Sequence, residues 1–144
     1  MLLFEIVGIP VPQKQTQFIR ATGIAYNPSR KDMEHIQWQI RPYAPLVPLS
    51  CAIEMHLTFY LPIPKSTSKR VRAQMLNGVI LPKKKPDFDN LAYLVTNSLK
   101  EIVYMDDSLV TDCIIRKRYS DMPRTVIKII PIEELQPVGG STCA

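Results

Sequence analysis

Lys85-Pro86-Asp87-Phe88-Asp89-Asn90-Leu91 leads into Leu94, Val95, Leu99 and Ile102, and the pair Asp106-Asp107 stands a few residues beyond. Those apolar residues recur at helical spacing on one face, which predicts an amphipathic helix from Asp89 to Glu101. Downstream, Val110 to Tyr119 and Thr125 to Pro131 read as two strands joined by a turn at Asp121-Met122-Pro123. Upstream, Cys51 to Leu61 is the clearest strand. Ile53, Met55, Leu57, Phe59 and Leu61 alternate there with Glu54, His56, Thr58 and Tyr60, a period of two with one face buried. The alternation sets His56 opposite the apolar set, as a surface or half-buried histidine rather than a catalytic one.

Further out, Leu2 to Ile9 reads as a strand ended by Pro10, and Gln13 to Asn27 as a polar loop or hairpin. In Asn27-Pro28-Ser29 the serine is placed to cap a helix from about Arg30 to Arg41, with Met33, Ile36, Trp38 and Ile40 among its residues. Ser66 to Asn77 predicts a short basic helix ended by Asn77-Gly78. The order is strand, loop, helix, strand, helix, helix, strand, strand. That is an α+β fold, a single domain with a mixed or antiparallel sheet packed with helices. The domain is expected over residues 1–136, with 137–144 as a flexible C-terminal tail.

The 144 residues suffice for one domain with a real core, and 46% hydrophobic against 22% charged is an ordinary globular balance. No run approaches the roughly 20 apolar residues of a membrane span. Met1-Leu2-Leu3-Phe4-Glu5 lacks the basic n-region of a signal peptide. Cys51, Cys113 and Cys143 are odd in number and widely spaced, which argues for a reducing cytoplasm and against a disulfide framework or a zinc site.

Charge is unevenly placed in this chain of net +5: Lys65 to Lys85 holds Lys65, Lys69, Arg70, Arg72, Lys83, Lys84 and Lys85 with no Asp or Glu. A basic run is often only a solvated face. This one leads straight into four carboxylates within about twenty residues, Asp87, Asp89, Asp106 and Asp107. Carboxylates hold a hard cation such as Mg²⁺, and a basic surface holds a phosphate backbone. The combination suits a metal-dependent enzyme acting on nucleic acid. Aromatic residues do not interleave with the basic run, which disfavours a single-strand RNA platform.

One aspartate would serve as a helix cap, and two aspartates with Asn90 and a second acidic pair exceed that need. Asp87 and Asp89, at i and i+2, share one side of an extended segment. The second pair lies beyond a helix of about 12 residues, roughly 18 Å long. Either residues 103–108 double back to bring Asp107 to Asp87 and Asp89, or the second pair comes from another subunit.

These residues resemble the RusA family of Holliday-junction resolvases. The family pattern is approximately K-P-D-x-D-N-L-x-K, then D-A-L, then D-D-x-Q-V. The chain has Lys85 to Tyr93, then Asn97-Ser98-Leu99, then Asp106-Asp107-Ser108-Leu109-Val110. The likeness extends to Pro10-Val11-Pro12, to Tyr26-Asn27-Pro28 and to the basic helix, over residues from about 3 to 131. The resemblance implies a homodimeric, Mg²⁺-dependent endonuclease that cuts four-way DNA junctions, with Mn²⁺ as the alternative metal. It implies a cytoplasmic protein of bacterial or phage origin with no membrane partner. The catalytic acids would be Asp87, Asp89 and Asp107, with Asp106 as a further metal ligand. Lys69, Arg70, Arg72, Lys83, Lys84 and Lys85 would bind DNA, and Asn90 and Tyr93 would be accessory. Tyr93 stands where the family has lysine, Asn97 where it has aspartate, and Leu109 where it has glutamine. Positions 93 and 97 share a helix face, so an oppositely charged pair is replaced by a neutral one. A junction-binding protein with a decayed nuclease site is the alternative expectation.

Overall fold

The computed structural model describes residues 1–134. The tail expected from Pro137 onward, and Cys143 within it, lie outside the described residues. The elements are β1 (Leu2–Val7), β2 (Gln17–Ile19), β3 (Ile24–Tyr26), α1 (Arg30–Ile40), β4 (Ile53–Pro62), α2 (Lys69–Leu76), α3 (Phe88–Leu99), β5 (Val110–Ser120) and β6 (Arg124–Pro131). The polar 13–27 segment is thus a hairpin, β2 paired antiparallel with β3.

The main sheet is mixed, in the order β1-β6-β4-β5. β6 is antiparallel to both β1 and β4, and β5 runs parallel to β4. Alternation in β4 does what its sequence predicts: Ile53, Met55, Leu57, Phe59 and Leu61 are buried. Phe4 and Ile6 of β1 and Ile127 and Ile129 of β6 join the same core. Against that face pack Ile36 and Ile40 of α1 and Leu91, Leu94, Val95 and Leu99 of α3. Truncating one such residue, Leu94→Ala for example, costs about 2–5 kcal/mol by lost transfer energy and cavity formation.

The structure settles the strand order that the sequence left open, and it corrects the expected Ser29 cap. The turn at 121–123 is where the sequence places it, but the strands it joins are not neighbours, because β4 lies between β5 and β6. Three residues reach across one intervening strand, about 10 Å. Ser29 precedes α1 but makes no capping bond. It is buried, and its Oγ instead accepts from Lys14 N at 2.7 Å, tying the 13–16 loop to the helix. Trp38 of α1 points away from the core, 78% exposed. Among the cysteines, Cys113 is free and exposed, whereas Cys51 is disulfide-bonded. Spacing along the chain does not report which thiols a fold brings together. No helix among the described residues is long and apolar enough to cross a membrane.

Candidate active site

The segment before α3 is held from below by β5. Lys117 Nζ donates to the Lys84 carbonyl at 2.7 Å, and buried Pro82 anchors the preceding turn. Asp87 then takes the N-cap position of α3 in extended backbone, yet its carboxylate makes no capping hydrogen bond. It turns instead to Lys85, whose Nζ lies 2.6 Å from Oδ2. That bond, with the charges of Asp87 and Asp89, holds the Lys85 ammonium above its usual pKa. Among the described residues Asp89 Oδ1 accepts from the adjacent Asn90 N alone, at 2.9 Å. Neither acid is consumed in capping. Both line an open cleft of about 540 Å³ with Lys83, Lys84, Lys85, Phe88 and Lys117.

Asp106 and Asp107 sit at the opposite end of the helix. The chain leaves α3 at Lys100 and reverses through Glu101, whose φ of 66° lies in the left-handed region, with Glu101 N donating to Tyr104 O at 2.7 Å. Val103 and Met105 are then pinned by backbone hydrogen bonds to Leu49. Lys100 Nζ lies 2.9 Å from Asp106 Oδ1 and 4.0 Å from Asp107 Oδ1. Asp106 Oδ2 also accepts from Ser108 N at 3.3 Å. The Ser108 bonds first, and Lys100 second, hold the Asp106 carboxyl down to about 2.

The structure therefore brings Asp87 to Asp89, and Asp106 to Asp107, but not one pair to the other. Between them lie the 12 residues of α3, about 18 Å at 1.5 Å per residue. β5 runs from Val110, beside Ile53, back to Lys117, beside Lys84, so the chain reaches the first pair again only ten residues after the second. The chain turns back after α3 as far as Tyr104, whose hydroxyl reaches Thr96 O, but this does not bring Asp107 to Asp87 and Asp89. Among the described residues no group of three or more His, Cys, Asp or Glu side chains is placed to hold a metal ion. Within one chain the acids of the described residues do not form a three-carboxylate metal centre.

Of the basic residues expected to meet DNA, Lys83, Lys84 and Lys85 line the cleft, while Lys69, Arg70 and Arg72 lie on α2 outside it. Lys117 is a cleft residue that the sequence reading passed over. Arg116-Lys117-Arg118 on a predicted strand was the available signal, with Lys117 alternating out from its neighbours. Tyr93 and Asn97 occupy the outer face of α3 and line a separate polar groove.

Comparison with known proteins bears on this arrangement directly. The family model for endodeoxyribonuclease RusA matches residues 8–130. The chain belongs to the RusA endodeoxyribonuclease family. A relative, "Uncharacterized protein YqaN" of Bacillus subtilis (strain 168), is 28% identical over 132 residues, covering 88% of this chain and 93% of its own length. The family match spans both acidic pairs, α3 between them and the basic segment before them.

Proposed function

We propose that this RusA-family protein is a homodimeric, Mg²⁺-dependent endonuclease that resolves four-way DNA junctions in recombination and repair. In this reading each active site is composite. Asp87 and Asp89 of one protomer meet Asp107, with Asp106 beside it, of the other. The observation that carries the reading is the placement of two carboxylate pairs at opposite ends of one helix, each beside a lysine. A twofold axis can bring the head of one α3 to the foot of the other, and it generates two equal sites. Two equal sites suit a junction, which must be cut on two strands symmetrically.

The chain's own residues divide the work. Lys83, Lys84 and Lys117 line the cleft as phosphate contacts, fixing the strand without reading its sequence. Lys69, Arg70 and Arg72 extend the basic surface along α2. Lys85 orients Asp87, and Lys100 orients Asp106 and helps to hold it ionised. When bound, Mg²⁺ would lower the pKa of a water and offset charge on the phosphate.

The testing experiment uses an end-labelled synthetic four-way junction and a linear duplex, with Mg²⁺, Mn²⁺ or EDTA. Paired symmetric nicks confined to the junction and lost in EDTA are expected. Junction binding without cleavage under either metal would instead support a decayed nuclease. Tyr93 is the observation that favours this second reading, because a phenol stands where the family pattern has a cation. The melting temperature discriminates independently: a working metal site at 100-fold saturation adds about 2.7 kcal/mol.

A further inference from the structure

One turn along α3 from Asp89, the helix presents Asn90, Tyr93 and Asn97 at i, i+3 and i+7, on one stripe. Facing them are Gln13, Lys14, Gln15, Thr16 and Asn27, across a groove of about 360 Å³. The two walls are tied together. Gln13 N donates to Asn90 O at 2.9 Å, and Lys14 N to Ser29 Oγ at 2.7 Å. The groove is therefore built into the fold.

Its chemistry differs from that of the neighbouring cleft. One cation, Lys14, borders it, against four lysines in the cleft that holds Asp87 and Asp89. A phosphate would favour the cleft. The groove instead offers amides and a ring. Gln13 Nε2 donates to Asn27 Oδ1 and to Lys14 O, and Gln13 Oε1 is left buried with no partner among the described residues. That oxygen is closed off from solvent, so the Gln13 amide forms part of the wall beneath the groove surface. The Asn90 and Asn97 amides and the Tyr93 hydroxyl are likewise unbonded among the described residues, and Tyr93 is 54% exposed. Amides that can both donate and accept, beside an open aromatic face, match one class of ligand within DNA. A nucleobase has a hydrogen-bonding edge and a π face to meet them.

We infer that this groove is a nucleobase site. An unpaired base next to the strand held at Asp89 stacks on Tyr93 and is read on its edge by Asn90 and Asn97. The inference rests on the nuclease reading above and adds a source of base selectivity to it. The neutral pair at positions 93 and 97 then has a use of its own, because a charged lysine–aspartate pair would bridge across the stripe rather than receive a base.

The test places 2-aminopurine singly at each branch-flanking position of a four-way junction and titrates the full-length protein in EDTA, so that no strand is cut. At one position fluorescence is expected to be quenched on binding. Tyr93→Ala should remove that quenching and weaken junction binding about tenfold, the size of one lost base–aromatic stack, while Tyr93→Phe retains both. Asn97→Ala should flatten, again about tenfold, any preference among the four natural bases at that position. A junction bound tightly with no quenched position, or with quenching equal in the wild type and Tyr93→Ala, overturns this inference alone. Binding no tighter to the junction than to linear duplex overturns it together with the junction-resolving reading.

Discussion

Two inactive variants should restore cutting to each other. Asp89→Asn removes an acid from the head of α3 and Asp107→Asn one from beyond its foot. Oxygens sharing one Mg²⁺ at about 2.0–2.1 Å can lie no more than about 4 Å apart. The helix alone sets the two acids roughly 18 Å apart within a protomer, more than four times that span. If each site draws on both protomers, a heterodimer of the two variants has one site with both changes and one with neither. Random reassortment of equal amounts makes half the dimers mixed, each with one of two sites intact, so about a quarter of wild-type nicking should return. The product has a signature. A single competent site nicks one strand and leaves the junction unresolved, whereas the wild type yields paired nicks. The assay mixes differently tagged, co-expressed variants, isolates the doubly tagged dimer, and runs labelled junction on a denaturing gel. A verified heterodimer that cuts nothing refutes the composite site, and Asp107→Asn cutting at the wild-type rate refutes the assignment of Asp107.

Asp87→Asn and Asp89→Asn should each lower cleavage by at least about 10²-fold while junction affinity, measured by gel shift in EDTA, stays within a few-fold, since the lysines remain. Replacing Lys83 and Lys84 with Met should weaken junction and duplex binding together and reduce the slope of log K against log salt by about 2. Restoring the family pair with Tyr93→Lys and Asn97→Asp should raise the single-turnover cleavage rate if a cation at 93 meets the scissile phosphate, and an unchanged rate would show that another lysine already serves. Tyr104 is fully buried and its hydroxyl donates to Thr96 O at 2.6 Å, closing the end of α3, so Tyr104→Phe should cost about 1–2 kcal/mol in denaturant unfolding. Burial, more than the nearby Asp107 charge, raises the Tyr104 phenol above its usual value. The wild type therefore holds this contribution below pH 10 and loses it as pH rises further, because the unfolded phenol ionises first, and Tyr104→Phe should flatten that alkaline loss.

Much of the fold was legible because its signals are local. The period-two run at Ile53 to Leu61 and the helical spacing of Leu91, Leu94, Val95 and Leu99 each fix an element and its buried face without reference to the rest. What escaped depends on long-range contact. Nothing in Asp121-Met122-Pro123 says that β4 will slide between the strands it joins. Ser29 has the residue type of a cap, and its hydroxyl is drawn instead to Lys14, fifteen residues earlier. Within the candidate site the acids were evident from their spacing, and the helix length already implied their separation. The place of Lys117 was hidden, because only the parallel pairing of β5 with β4 carries it to Lys84.

If the site is composite as proposed, the two lysines would keep its halves ordered before assembly. Exposed carboxylates crowded at i and i+2, or side by side, repel one another, and a nearby ammonium relieves that. Lys85 does so for Asp87 and Lys100 for Asp106, each in an exposed ion pair. Exposed pairs are weak and exchange readily, so a metal or a phosphate can take either partner. Lys85 stands two residues before Asp87 on a segment pinned by Lys117, close enough to swing from carboxylate to bound strand. In the proposed reading Lys85 is the lysine that could serve for the cation the family pattern carries at position 93. If the proposed nuclease reading holds, the cleft lysines supply the charge that positions 93 and 97 lack, and all four acids keep a use.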